Sequence, residues 1–140
     1  MKFISSLALV STISVAAAEL IRLGYPTDGA VLTAGQSVAV QVIQPEGLGS
    51  CIQVGIALAV KNCDTNGVCS DPAKELGSVL YAGPFEGVIP LPGGWYQNFT
   101  VQIPEYLDEG KAIFTLTHLC LLGGAPFPYL EFRNASVTIA

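Results

Sequence analysis

The chain has 140 residues, 51% of them hydrophobic and only 12% charged, with a formal net charge of -5. Arg22, Lys61, Lys74, Lys111 and Arg133 are dispersed rather than clustered, which argues against nucleic acid and anionic membranes as partners. The length suits one ordinary domain with a single core.

The first eighteen residues (1–18) read as a secretory signal peptide rather than as part of the fold. Met1 and Lys2 give a positive start, residues 3–15 are apolar or hydroxylated, and Ala16, Ala17 and Ala18 supply the small-x-small cleavage pattern, with the cut expected before Glu19. The run is too short for a span of about 20 apolar residues. No polar spacer and apolar tail close the sequence, so no lipid or membrane anchor is expected. Residues 19–140 are expected to form one released, extracellular domain.

Nearly everything after Glu19 reads as strand. Leu20 to Leu23 make a short first strand, ended by a turn cluster at residues 24–29. Val38, Val40 and Val42 alternate with Ala39, Gln41 and Ile43, the mark of a half-buried strand. Residues 44–49 read as loop. The most apolar strand follows over residues 51–60. A period of two puts Ile52, Val54, Ile56, Leu58 and Val60 on one face, and Gln53, Gly55, Ala57 and Ala59 on the other. Residues 62–74 form a polar loop, and residues 75–82 a strand stopped by Gly83 and Pro84. Residues 85–94 read as a loop with apolar anchors, and Trp95 at its end as a core plug.

Phe99, Val101 and Ile103 alternate with Asn98, Thr100 and Gln102, and residues 104–110 turn a corner. The next strand puts Phe114, Leu116, His118 and Cys120 on one face. Residues 121–128 read as a Gly/Pro-rich loop, and residues 129–139 as a last strand bent near Arg133. About seven short strands without a helix predict an all-β, immunoglobulin-like antiparallel sandwich. Asp108-Glu109-Gly110 resembles the corner before strand F of such domains. Ala112 replaces the corner tyrosine and Phe114 the antibody-type cysteine, so the kinship stops at the architecture.

Four cysteines in a secreted chain suggest two disulfides, with three pairings open. A Cys63–Cys69 bridge would clip a loop holding an Asn66-Gly67 turn signal. That leaves Cys51 with Cys120, which do not fall on the same predicted face. With one histidine and a Cys63 to Cys69 spacing too wide for a zinc knuckle, no metal site is expected. Asn98-Phe99-Thr100 and Asn134-Ala135-Ser136 are N-glycosylation sequons.

No catalytic set emerges. His118 lies mid-strand and reads as a hydrogen-bonded sheet histidine, and no Gly-x-Ser-x-Gly elbow is present. Glu105, Asp108 and Glu109 sit on a tight corner and read as a solvated loop rather than as glycosidase carboxylates. Asp64, Asn66 and Asp71 match no calcium-loop spacing. No cofactor is expected. Tyr81, Phe85, Trp95, Tyr96, Phe127 and Tyr129 lie on or beside loops, where aromatics either seal a small core or form a binding surface.

Four segments carry a family resemblance. They are Leu76-Gly77-Ser78-Val79-Leu80-Tyr81-Ala82-Gly83-Pro84-Phe85, Tyr96-Gln97-Asn98-Phe99-Thr100-Val101-Gln102-Ile103-Pro104, Gly110-Lys111-Ala112 and Asn134-Ala135-Ser136-Val137-Thr138-Ile139. They resemble small secreted fungal proteins of the necrosis-inducing secreted protein family of effectors. That resemblance implies a non-enzymatic protein that binds immune receptor-associated kinases of a plant host and damps immunity. It implies no catalytic residues and no pairing of the four cysteines. A fungal cell-wall or glycan-binding module is the rival expectation, since loop aromatics suit sugar stacking.

Overall fold

The computed structural model describes residues 20–47 and 50–140. The expected signal segment, Leu48 and Gly49 lie outside the described residues. Nine strands follow in order: β1 (Arg22–Tyr25), β2 (Val31–Leu32), β3 (Ser37–Pro45), β4 (Cys51–Asn62), β5 (Ser78–Gly83), β6 (Ile89–Leu91), β7 (Gly94–Gln102), β8 (Gly110–Leu122) and β9 (Phe127–Ile139). They form two sheets, β1-β3-β7-β6 and β2-β9-β8-β4-β5. The chain crosses between the sheets five times, so neighbours such as β3 and β7, or β4 and β8, are distant in sequence. The architecture is an immunoglobulin-like β-sandwich.

The alternating residues supply the core. Leu58, Val60, Phe114, Leu116, Val137 and Ile139 of the larger sheet are buried against Val40, Val42, Phe99 and Val101 of the smaller one, with Ile103 just past the end of β7. The corner between β7 and β8 is held by Asn62. Its Nδ2 donates to the Asp108 carbonyl at 2.7 Å, and its Oδ1 accepts from the Asp108 N–H at 3.0 Å.

Several sequence expectations change. Strands among the described residues number nine rather than about seven. β2 pairs with β9 in parallel, so the sandwich is not wholly antiparallel. The loop expected over residues 85–94 contains β6, and the loop expected over residues 121–128 narrows to a turn over residues 123–126, with Leu122 paired to Phe127. Residues 44 and 45 extend β3 through pairs with Trp95 and Gly94. Arg133 lies within one continuous strand, its neighbours pairing in unbroken register with β8.

The largest correction concerns β4. Gln53 pairs with Cys120, but Gly55 pairs with Leu119, leaving Val54 as an extra residue. Such a bulge reverses the side-chain alternation, because one added residue is half a period. Ile56, Leu58 and Val60 therefore face the core, whereas Ile52 and Val54 are 54% and 52% exposed. The same reversal carries Cys51 and Gln53 inward.

Gly77, before β5, illustrates how the backbone is fitted. Its φ is +78°, and a Cβ there would meet Lys61 Cβ at 2.6 Å and the Val60 carbonyl at 2.7 Å. Gly77→Ala is expected to lower stability by about 1–3 kcal/mol from backbone strain, before any clash is counted. A chemical-denaturation midpoint checks this, and an unchanged midpoint would refute it.

Candidate functional site

The six aromatics separate into two groups. Phe85 is 3% exposed and belongs to the core. Tyr81 packs on that core with its ring centroid 4.6 Å from that of Phe99, and its hydroxyl donates to the Pro84 carbonyl at 2.6 Å. These two seal the sandwich and drop out of the candidate surface. Trp95, expected as a core plug, is 41% exposed, and Phe127 is 51% exposed. Both belong to strands rather than loops. They share one end of the sandwich, since β3 finishes beside Gly94 and β4 begins beside Leu122. Tyr96 and Tyr129 are half-buried.

A second surface lies on the outer face of the larger sheet. Val54, Ala57, Thr117, Leu119 and Leu130 line a shallow groove of about 410 Å³ floored by Gly55 and Gly83. Gly55 lets β4 and β5 approach closely there: a Cβ on it would meet the Gly83 carbonyl at 3.0 Å. Thr117 Oγ1 is buried there without a protein partner. Together with exposed Ile52, Val79 and Leu130, the face presents an apolar patch of the kind that marks interaction sites.

Between the sheets, next to the apolar core, sits a polar cluster. His118 is wholly buried, and its Nδ1 lies 2.8 Å from Glu131 Oε1. Its Nε2 lies 2.6 Å from Gln53 Oε1. Arg133 Nη2 donates to Glu131 Oε2 at 2.8 Å, and Arg133 Nε donates to the Ile21 carbonyl at 3.2 Å. The register explains the assembly. His118 pairs with Glu131 across β8 and β9, and the bulge delivers Gln53 from β4. Cys51 and Cys120 are disulfide-bonded beside this cluster, and Cys63 is bonded to Cys69. His118 is thus the expected hydrogen-bonded sheet histidine. Its acidic and amide partners were not foreseeable from spacing.

The acidic loop residues act as turn formers. Asp64 Oδ1 accepts from the N–H groups of Asn66 and Val68 at 2.9 and 2.8 Å, and Asp71 Oδ1 accepts from Ala73 N–H at 3.0 Å. Lys61 pairs with Glu75 and holds its carboxyl below the usual carboxylate range, chiefly through their hydrogen bond. That contribution is present at neutral pH and fades as pH falls through the lowered pKa. Both sequon asparagines, Asn98 and Asn134, are exposed, as glycosylation requires.

No family model and no characterised protein matches the chain. Solved structures to which the chain is similar include a cellulose-active polysaccharide monooxygenase from M. thermophila, at 14% identity and a TM-score of 0.44, over 80% of this chain and 54% of that one. Murine CRIg is similar at 13% identity and a TM-score of 0.43, over 86% of this chain and 98% of that one. The chain therefore spans about half the length of the monooxygenase. No helix among the described residues is long and apolar enough to cross a membrane. Two disulfides suit an oxidising, extracellular setting.

Proposed function

We propose that this is a secreted, non-enzymatic binding protein of the effector type, glycosylated at Asn98 and Asn134, that engages a host protein through the outer face of its larger sheet. The observation that carries this reading is the exposed apolar patch around Val54 and Leu130. The sequence resemblance to necrosis-inducing secreted proteins suggests the kind of partner, a kinase associated with a plant immune receptor.

Purified mature protein should bind a panel of such kinase domains. Val54→Asp or Leu130→Asp should weaken that binding by at least about tenfold, since each places a charge in an apolar contact. Both positions are solvent-facing, so the variants should remain folded. Full binding by both variants would remove the groove face from the proposal, and no binding by the folded wild type would remove the kinase partner.

A glycan-binding reading draws on Trp95 and Phe127 at the sandwich end, because an exposed indole can stack on a sugar ring. Retention of the protein on chitin or glucan, lost in Trp95→Ala, would favour it over the effector reading.

A further inference from the structure

We propose that Cys51, Cys120 and His118 form a buried site for a zinc-type divalent cation once the Cys51–Cys120 disulfide is reduced. The two sulfurs and a ring nitrogen of His118 lie within 4.8 Å of one another. Zinc bonds of about 2.0–2.3 Å place tetrahedral donors roughly 3.5 Å apart. Once reduced, the two sulfurs would separate from bonding distance to that spacing, and the ring nitrogen would close the remaining gap.

The surroundings fit a ligand set. Glu131 faces His118 Nδ1 at 2.8 Å and is itself held by Arg133. A carboxylate at Nδ1 orients the ring, and a metal would take Nε2 in place of the proton that now points at Gln53 Oε1. Gln53 Oε1 stands 2.6 Å from that nitrogen and offers a fourth, oxygen donor. Two thiolates would balance the charge of the cation.

The redox state gates the site. In the disulfide each sulfur is bonded to the other. Two equivalents of a thiol reductant deliver two electrons and two protons, giving two cysteine thiols and the reductant's own disulfide. Metal binding then forms two metal–sulfur bonds and releases both thiol protons to water. Cys51 and Gln53 are only half-buried, which leaves an entry from the sandwich end.

The test uses mature protein carrying Cys63→Ser and Cys69→Ser, so that the only thiols are those of the site. A phosphine reduces it, taking the oxygen of water as it delivers the same two electrons. Cobalt(II) then serves as the spectroscopic probe. One cobalt per chain should bind, with thiolate charge-transfer and tetrahedral d–d bands that zinc abolishes. The oxidised protein should show neither band. His118→Ala or Cys51→Ser should weaken binding at least about tenfold, and Glu131→Gln by about 10–100-fold. The proposal fails if folded, reduced protein shows no bands. It also fails if bands appear without reduction, or persist unchanged in both ligand variants. A reduced chain whose sheet signal is lost and is not restored by cobalt would equally overturn it.

Discussion

Glu131→Ala is expected to destabilise the protein by about 1–3 kcal/mol, the range for leaving a buried hydrogen-bonding group without its partner. The carboxylate lies at the centre of the buried cluster. One oxygen faces His118 Nδ1 and the other accepts from Arg133, each at 2.8 Å. With alanine there, the His118 nitrogen has no acceptor and no water to replace it, because the ring is wholly buried. Arg133 is less affected, since its side chain is 29% exposed and also donates to the carbonyls of Ile21 and Phe132. Most of the loss should therefore arise at His118, with a smaller and screened share at Arg133.

Two further variants separate this account from simple loss of packing. Glu131→Gln keeps an acceptor and should cost less than alanine. The double change His118→Leu and Glu131→Leu removes both polar partners, so it should cost well under the sum of the single changes. Urea midpoints on these variants, on the single His118→Leu and Glu131→Leu changes and on the wild type would decide it. A loss below about 1 kcal/mol in Glu131→Ala, or strict additivity in the double variant, would show that the cluster does not act as a unit.

The contrast between what alternation reveals and what it hides is clearest in β4 and β8. In β8 the pattern runs unbroken, so Phe114, Leu116, His118 and Cys120 are correctly read as one inward face. In β4 the same reasoning fails at one residue. Val54 bulges, and Cys51 and Gln53 turn inward while Ile52 turns out. Gly55 is the one local mark of that bulge, since a lone glycine inside a strand often accompanies one, but it does not reveal which side chains turn inward. Its consequences are long-range. It lets Cys51 meet Cys120, and it carries Gln53 to a histidine that lies 65 positions away.

The aromatics were ambiguous for a related reason. Phe85 and Trp95 both flank turn-rich sequence, and only the pairing of β6 with β7 decides that one seals the core while the other faces solvent. The clip at Cys63–Cys69 was legible because its determinants are local, a turn signal between two nearby cysteines.

That difference between local and long-range constraint sets the expected cost of each disulfide. In the chain-entropy account a bridge stabilises by restricting the unfolded chain, more so for longer loops. The Cys51–Cys120 separation of 69 residues gives about 4 kcal/mol, and the Cys63–Cys69 separation of 6 gives about 2 kcal/mol. The native state should widen the gap. The clipped loop is also fixed by Asp64 Oδ1, which accepts two backbone N–H groups, and by Lys111 Nζ, which donates to the Gly67 carbonyl at 3.0 Å. Those bonds survive loss of the clip. Paired Cys→Ser variants should therefore differ, with Cys51→Ser/Cys120→Ser about 2 kcal/mol less stable than Cys63→Ser/Cys69→Ser in urea. Equal losses would mean that strain or residual structure outweighs chain entropy. A small single domain has about 5–15 kcal/mol in hand. Losing the long bridge should thus leave a folded but weakened sandwich, and a cation that binds the reduced pair would raise its midpoint again by mass action.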